Sequence, residues 1–235
     1  MDFPQFPIAE KYKSVIDRLH FSEEDHRYTL DEGTPQSQVL VSSTQMISGL
    51  ELSDTSFFRP HHLQAGTDRH YATQLWDEGT LDGSTLDDNT GPALEAWKSF
   101  LDHSGFSIDQ IEIRCFSDKL RFAGTIDRVG NLGGKRTLLD IKGSADLPTY
   151  SLQLWLYKIA WEEMTGEKID RLISVHLFKT GKYKVREHHS SRTAEAAALG
   201  LPVAYRWKKG EVLWSKEVRV ALNDICLFSK DKLEK

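Results

Sequence analysis

An aspartate and a lysine interrupt an otherwise apolar segment, TLLDIKGS, at residues 137–144. Its leucines and isoleucine predict a buried strand, but Asp140 and Lys142 are charged, and burying either charge alone is costly. Because side chains alternate between the two faces of a strand, Asp140 and Lys142 lie on the same face. A carboxylate with an ammonium group beside it could hold a divalent cation and stabilise negative charge on a substrate.

A glycine turn predicts which residue lies opposite Asp140. The sequence NLGGKR, residues 131–136, favours a two-residue hairpin loop, because both glycines can take positive φ. Leu132 then pairs with Lys135, and Asp127 faces Asp140 directly. Opposed residues of a hairpin point to the same side, with Cβ atoms about 4.5–5.5 Å apart.

Two facing carboxylates repel each other, and a bound cation would remove that repulsion. Opposed carboxylate oxygens suit Mg²⁺ or Mn²⁺, and Lys142 could then orient a water molecule or stabilise a phosphate oxygen. In the alternative interpretation, Asp140 and Lys142 form the polar face of an edge strand, and Asp127 pairs only with Arg128 or Lys142. We favour the metal because a solvated face gains nothing from opposed acids.

The sequence offers one further acid and two pairs of histidines as candidate ligands. Glu112 could be an extra acid in the cleft, but a turn at Ser117–Asp118 would place it level with Ala123, too far along the strand to bind the same ion. The adjacent histidines at 61–62 and 188–189 have no metal-ligand spacing, and we expect them on the surface.

Composition limits the class of protein. The chain has 235 residues, of which 39% are hydrophobic and 28% charged, as in a globular protein with a real core. Its two cysteines have no CxxC spacing, which argues against a disulfide scaffold, a zinc finger or an iron–sulfur cluster. The net charge is −5, yet residues 171–210 carry nine Lys/Arg against two acids, a segment that could bind a polyanion or form ordinary solvated surface. No signal peptide or membrane-spanning run is visible.

The order of predicted elements indicates an α/β fold with a central mixed β-sheet flanked by helices. We expect a single domain over residues 1–235, with an N-terminal hairpin at about 20–42, which could form a small sheet of its own, and a C-terminal extension at about 190–235. Three antiparallel strands between Ile111 and Lys142 form the centre, extended by strands near 171–188. Helices are predicted over about 45–49, 64–78, 94–104, 148–164 and 192–207.

Four motifs in a fixed order resemble the PD-(D/E)XK nuclease superfamily. GTID at 124–127 and LLDIK at 138–142 look like its core, a Gln-x-x-x-Tyr element follows at Gln153 and Tyr157, and His70 precedes them on a helix. This order is similar to the RecB-like branch, which includes phage-type exonucleases. The match covers about residues 41–157, roughly half of the chain.

The resemblance implies a role for each matching residue. Asp127 and Asp140 are metal ligands, the carbonyl of Ile141 is a third ligand, and His70 helps to bind the ion. Lys142 is the catalytic lysine, and Asp127, Asp140 and Lys142 together form the catalytic set. The iron–sulfur cysteines of some relatives are absent, so no cluster is expected.

The resemblance also implies an activity. Gln153 and Tyr157 would line the site and contact DNA. The implied function is Mg²⁺- or Mn²⁺-dependent hydrolysis of DNA phosphodiester bonds, as an exonuclease acting at duplex or single-strand ends in recombination or repair, in the cytoplasm of a bacterial or phage-infected cell. Two alternatives stay open: a structure-specific or restriction-like endonuclease, and a non-catalytic nucleic-acid-binding module.

Overall fold

A computed structural model of the chain describes residues 8–53, 60–189 and 192–210, without the side chains of residues 60–63. The fold is α/β, as predicted, with a mixed eight-stranded sheet and six α-helices in the described ranges. The helices are α1 (Glu10–Ile16), α2 (Ser43–Gly49), α3 (Pro60–Asp77), α4 (Thr90–Ser104), α5 (Thr149–Thr165) and α6 (Arg192–Lys208). The strands are β1 (Leu19–Ser22), β2 (Arg27–Leu30), β3 (Gln38–Ser42), β4 (Ser107–Ser117), β5 (Phe122–Leu132), β6 (Lys135–Lys142), β7 (Arg171–Leu177) and β8 (Tyr183–Glu187).

The sheet has the order β1-β2-β3-β5-β6-β7-β8, with β4 on the other edge of β5. Neighbouring strands are antiparallel except for two parallel pairs, β3 with β5 and β6 with β7. The N-terminal hairpin therefore does not form a sheet of its own, because β3 joins it to β5. The helix predicted in the C-terminal extension is α6, which continues through Pro202, and residues 211–235 of that extension lie outside the described ranges.

The β5–β6 hairpin has the register that its glycine turn predicts. Leu132 pairs with Lys135, and the register continues to Arg128 opposite Leu139. Gly133 and Gly134 have φ of 59° and 76°, the left-handed conformation that a two-residue turn of this kind requires.

The β4–β5 hairpin differs from the prediction in its turn. Ser117 pairs with Phe122, so four residues, 118–121, connect the strands instead of two. The longer turn shifts the register, with Ile111 opposite Arg128 and Ile113 opposite Ile126. Glu112 is thereby level with Asp127, four residues further along β5 than expected.

The strands β5 and β6 part beside the predicted site. Their pairing ends at Arg128 and Leu139, and β6 then follows β7 as far as Lys142. On the same edge of β5, Ala123 pairs with Ser42 of β3. The stretch between, residues 124–127, has no strand on that edge among the described residues, which leaves a gap in the sheet.

Two of the apolar clusters that cover the sheet include residues of β6. Leu138 packs in the cluster that includes Leu154 and Trp161 of α5. Leu139 of the next position packs in the cluster that includes Trp97 and other residues of α4. Because Asp140 and Lys142 alternate with Leu139 and Ile141 along β6, they face the side of α5.

Candidate functional site

The gap between β5 and β6 collects charged side chains from four elements. Asp127 lies on β5, Asp140 and Lys142 lie on β6, His70 comes from α3 and Glu112 from β4. Asp127 and Asp140 keep only 6% and 1% of their surface exposed. Five titratable groups therefore share one partly buried site, in which each group changes the protonation of its neighbours.

Asp127 is held by the neighbouring strand and by α3. Its Oδ2 accepts a hydrogen bond of 2.6 Å from the backbone N–H of Ile141 and lies 3.4 Å from Nδ1 of His70. The alternative in which Arg128 pairs with the Asp127 carboxylate does not occur. Arg128 instead donates to the backbone carbonyl of Asp127, and its ion pairs are with other acids.

Asp140 and Lys142 form an ion pair, with Nζ 2.6 Å from Oδ2. The approach does not have hydrogen-bond geometry, so this buried Oδ2 has no hydrogen-bond donor among the described residues. Lys142 donates instead to Oε1 of Gln153 at 3.0 Å, and Nε2 of Gln153 donates to the Tyr157 hydroxyl at 2.9 Å. The Gln-x-x-x-Tyr element therefore orients the lysine, and its predicted contact with DNA stays a prediction.

Glu112 is the site residue that sequence reasoning placed wrongly. One ligand atom each from His70, Glu112 and Asp127 can be chosen so that all three lie within 4.8 Å of one another, and this group could bind a metal ion. Asp140 lies outside this group. The backbone of Glu112 has φ of 44°, a strained conformation for a non-glycine residue. Only the length of the 118–121 turn could have revealed its position.

Desolvation dominates the protonation of the three acids. It raises the pKa of Asp140 to about 6 against the opposing attraction of Lys142, and the repulsion of Asp127 adds to the rise. Desolvation and the Asp127 charge raise the pKa of Glu112 to about 8. Desolvation also raises the pKa of Asp127, although Lys142 and the Ile141 N–H oppose it. Without a cation, the site therefore resists carrying all three negative charges.

The site shifts the pKa values of its two basic side chains, His70 and Lys142, in opposite directions. Desolvation and the nearby Lys142 lower the pKa of His70 to about 4, so the imidazole is neutral at pH 7, the form that binds metals. Desolvation would lower the pKa of Lys142, but Asp140 and Asp127 outweigh it and raise that pKa overall. Lys142 is therefore a cation and a donor at neutral pH.

These residues fit a hard divalent cation. Carboxylate oxygens and a neutral imidazole are suitable ligands for such an ion. A cation would also lower the raised pKa values of the acids by attracting the ionised forms. The set does not by itself distinguish Mg²⁺ from Mn²⁺.

A buried network of hydrogen bonds holds the elements that carry the candidate ligands, and no sequence motif indicated it. Arg128 has a fully buried side chain whose Nε donates to Oδ2 of Asp77 at 2.8 Å, while Nη1 donates to Oε1 of Glu112 at 3.0 Å. Nε1 of Trp97 donates to the other oxygen of Asp77 at 2.9 Å. Asp77 is on α3, so the network ties the helix that carries His70 to β5 and α4.

A second cluster of polar side chains is centred on β7, the strand next to β6. Ser174 pairs with Asp140 in the parallel register, and its hydroxyl contacts Nε2 of His176 at 3.1 Å and Nε2 of His188 at 2.9 Å. His188 is buried, so its predicted surface position is wrong, whereas His189 is exposed as expected. Burial lowers the pKa of His188 to about 4. The side chains at 61–62 lie outside the described part of the chain.

The basic segment 171–210 is partly neutralised. Arg171 pairs with Glu187, and Lys184 and Arg186 pair with Asp146. Lys208 pairs with Glu51, and Arg206 and Lys209 line a separate surface cavity of about 710 Å³. The segment is therefore not one continuous basic face.

Comparisons with known proteins add little beyond this geometry. The sequence matches no protein-family profile and no curated protein. The structure is similar to that of a candidate exonuclease from Eubacterium rectale, with a TM-score of 0.43 and 15% identity over 73% of this chain and 81% of the other. It is also similar to the protein SSO0001, with a TM-score of 0.36 and 14% identity over 70% of this chain and 84% of the other. At TM-scores below 0.5 these similarities do not indicate a function for this chain, which has to be inferred from the site.

No helix in the described ranges is both long enough and apolar enough to cross a membrane.

Proposed function

We propose that this chain is a metal-dependent deoxyribonuclease of the PD-(D/E)XK superfamily, with a restriction-endonuclease-like core folded as one domain. The observation that carries the proposal is the meeting of Asp127, Asp140 and Lys142 where β5 and β6 part, with Lys142 Nζ 2.6 Å from Asp140 Oδ2. His70 and Glu112 supply further ligand atoms beside Asp127. Several acids in one buried place cost stability unless a cation binds them, which supports a functional reason for the arrangement.

The ligand set begins with His70, Glu112 and Asp127, and Asp140 and the carbonyl of Ile141 complete it. A bound Mg²⁺ or Mn²⁺ ion would lower the pKa of a water molecule and neutralise charge on the phosphate. The water oxygen would form a bond to phosphorus and release a proton to solvent, while the bond from phosphorus to the leaving sugar oxygen breaks and that oxygen takes up a proton from solvent. The products are a phosphate monoester and a hydroxyl.

Lys142 acts as a donor in this reaction. Because Asp140 and Asp127 keep it protonated, it cannot accept a proton from the attacking water. It can donate a hydrogen bond to a phosphate oxygen as negative charge develops there. Gln153 and Tyr157 hold the ammonium at the site, and both remain candidates for contact with DNA.

The proposed substrate is the end of a duplex or a single strand, and the proposed process is recombination or repair in the cytoplasm of a bacterial or phage-infected cell. These finer statements rest on the motif resemblance alone. Covalently closed circular DNA distinguishes the proposed exonuclease from the endonuclease alternative, because a strict exonuclease needs a DNA end and this substrate has none.

One gel assay tests the proposal. Purified protein is incubated with end-labelled linear, nicked and closed circular DNA, with Mg²⁺, with Mn²⁺ and with EDTA. We expect the linear DNA to be degraded only with metal and the closed circle to survive. Cleavage of the closed circle would establish the endonuclease alternative. Binding of DNA with no turnover in any divalent metal would establish the binding module and refute the nuclease.

A further inference from the structure

Arg69 places its guanidinium group directly over the backbone of Gly143. A Cβ atom at position 143 would lie 3.1 Å from Nη1 and 3.3 Å from Nη2 of Arg69, closer than ordinary contact. Any residue other than glycine would therefore press on the guanidinium. Arg69 precedes His70 on α3, and Gly143 follows Lys142 at the end of β6, so this contact lies beside the proposed site.

The Arg69 guanidinium has no carboxylate partner in the described part of the chain. Its Nε is shielded from solvent without a hydrogen-bond acceptor. Other arginines are paired with acids: Arg128, Arg136, Arg171 and Arg186 each form an ion pair.

An unpaired, partly buried charge destabilises a folded protein, and it persists where a ligand provides the missing partner. Lys142 precedes Gly143 on β6, with Nζ 4.7 Å from the centre of the Tyr150 ring. Lys142 is already paired with Asp140, whereas no acid of the described residues forms an ion pair with Arg69. Its guanidinium is therefore available to an anionic ligand.

We infer that Arg69 is a phosphate-binding residue, whose guanidinium binds a backbone phosphate of the nucleic-acid strand held at the site. A planar guanidinium can make two parallel hydrogen bonds to phosphate oxygens, which a lysine cannot. This inference rests on the proposed function for its ligand. It assigns a residue outside both the ligand set and the motifs.

Binding without turnover provides the first test. Fluorescence anisotropy with a labelled oligonucleotide is measured in EDTA, for wild type, Arg69→Gln, Arg69→Lys and the control Lys168→Gln. Lys168 is exposed, lies beyond the opposite end of α5, and its variant removes the same charge. We expect Arg69→Gln to weaken binding about tenfold and to reduce the slope of log Kd against log salt by about one. Arg69→Lys should recover the salt slope but only part of the affinity.

A phosphate-by-phosphate scan provides the second test. Neutral methylphosphonate linkages replace single phosphates of the oligonucleotide in turn. One linkage should weaken binding by wild type several-fold more than binding by Arg69→Gln, because only wild type loses the contact. Equal penalties at every linkage would overturn the inference, as would Arg69→Gln binding as tightly as Lys168→Gln, or wild type failing to bind.

Stability separates a binding role from a structural one. Arg69→Met removes the unpaired charge, so we expect its Tm in the absence of nucleic acid to rise by about 2 °C. A lower Tm would indicate a structural role and overturn the inference. These tests need no cleavage, so a chain that binds through Arg69 without cutting DNA would refute the proposed nuclease and leave this inference intact.

Discussion

The ammonium of Lys142 lies 2.6 Å from the carboxylate of Asp140, and both side chains project from one strand toward α5. The pair is not isolated, because Asp127 stands across the gap and repels Asp140. The positive charge of Lys142 therefore offsets part of the repulsion between the carboxylates of Asp127 and Asp140.

Asp140→Asn and Lys142→Ala should each abolish cleavage. The first removes a ligand charge, and the second removes the donor to the phosphate, so we expect losses of at least about 10²–10³-fold in kcat. Both variants should give the far-UV circular dichroism spectrum of wild type. Full activity in either folded variant would refute the assignment of the site.

Gln153→Ala should lower kcat by about tenfold and leave KM nearly unchanged, because Gln153 orients Lys142 without being required for substrate binding in this role. Gln74→Ala is a matched control, since Gln74 also donates to the residue four positions later, Glu78. Steady-state kinetics on linear DNA checks the split. A raised KM with normal kcat would instead favour the predicted contact with DNA.

Glu112 should make the metal-free protein less stable as the pH rises from 6.5 to 8. Its pKa is raised to about 8 from the ordinary 4.5, so between these values the folded protein holds a proton that the unfolded chain has lost. The stability contributed by this proton is present at low pH and is lost as the pH rises through about 8. In this window His70 is already neutral and Asp140 is mostly ionised.

Urea unfolding in EDTA checks this pH dependence. The free energy of unfolding of wild type should fall, relative to Glu112→Gln, by up to about 1.4 kcal/mol per pH unit. Mg²⁺ or Mn²⁺ should reduce the fall in wild type and bind Glu112→Gln more weakly. Parallel pH profiles for the two proteins in EDTA would contradict the raised pKa.

Asp77→Leu should destabilise the fold strongly. It leaves the fully buried Arg128 without its main counter-charge and Trp97 Nε1 without an acceptor, so we expect a loss of about 3–5 kcal/mol. The exposed Asp88 gives the control Asp88→Asn, which should change stability by less than about 0.5 kcal/mol. Denaturant unfolding of both variants measures the difference, and equal stabilities would show that the network is not needed.

The sequence was sufficient where local backbone chemistry determines the geometry. Two adjacent glycines determine one turn type, and the register of β5 with β6 follows from it as far as Arg128 opposite Leu139, the residues next to Asp127 and Asp140. Residues 118–121 contain no glycine, and a loop of that composition can close at several lengths. The position of Glu112 depended on that length and could not be predicted.

Long-range partners were harder to predict. Arg128 and Asp77 are 51 positions apart, and nothing local indicates that they meet in the interior. The burial of His188 likewise depends on β7 lying beside β6, where Ser174 provides a polar partner. Charge and spacing along the chain cannot reveal such contacts, because they arise only when the helices and the sheet pack together.

The two turns that flank β5 have a consequence for how this chain can vary. Each turn sets how far its strand slides against β5, and together they bring Glu112 and Asp140 level with Asp127 from opposite sides. A single inserted or deleted residue in either turn would rotate a whole strand of side chains to the other face. Such a variant would retain all three acids, but their side chains would no longer lie together. The lengths of the two turns are therefore as necessary to the site as its carboxylates.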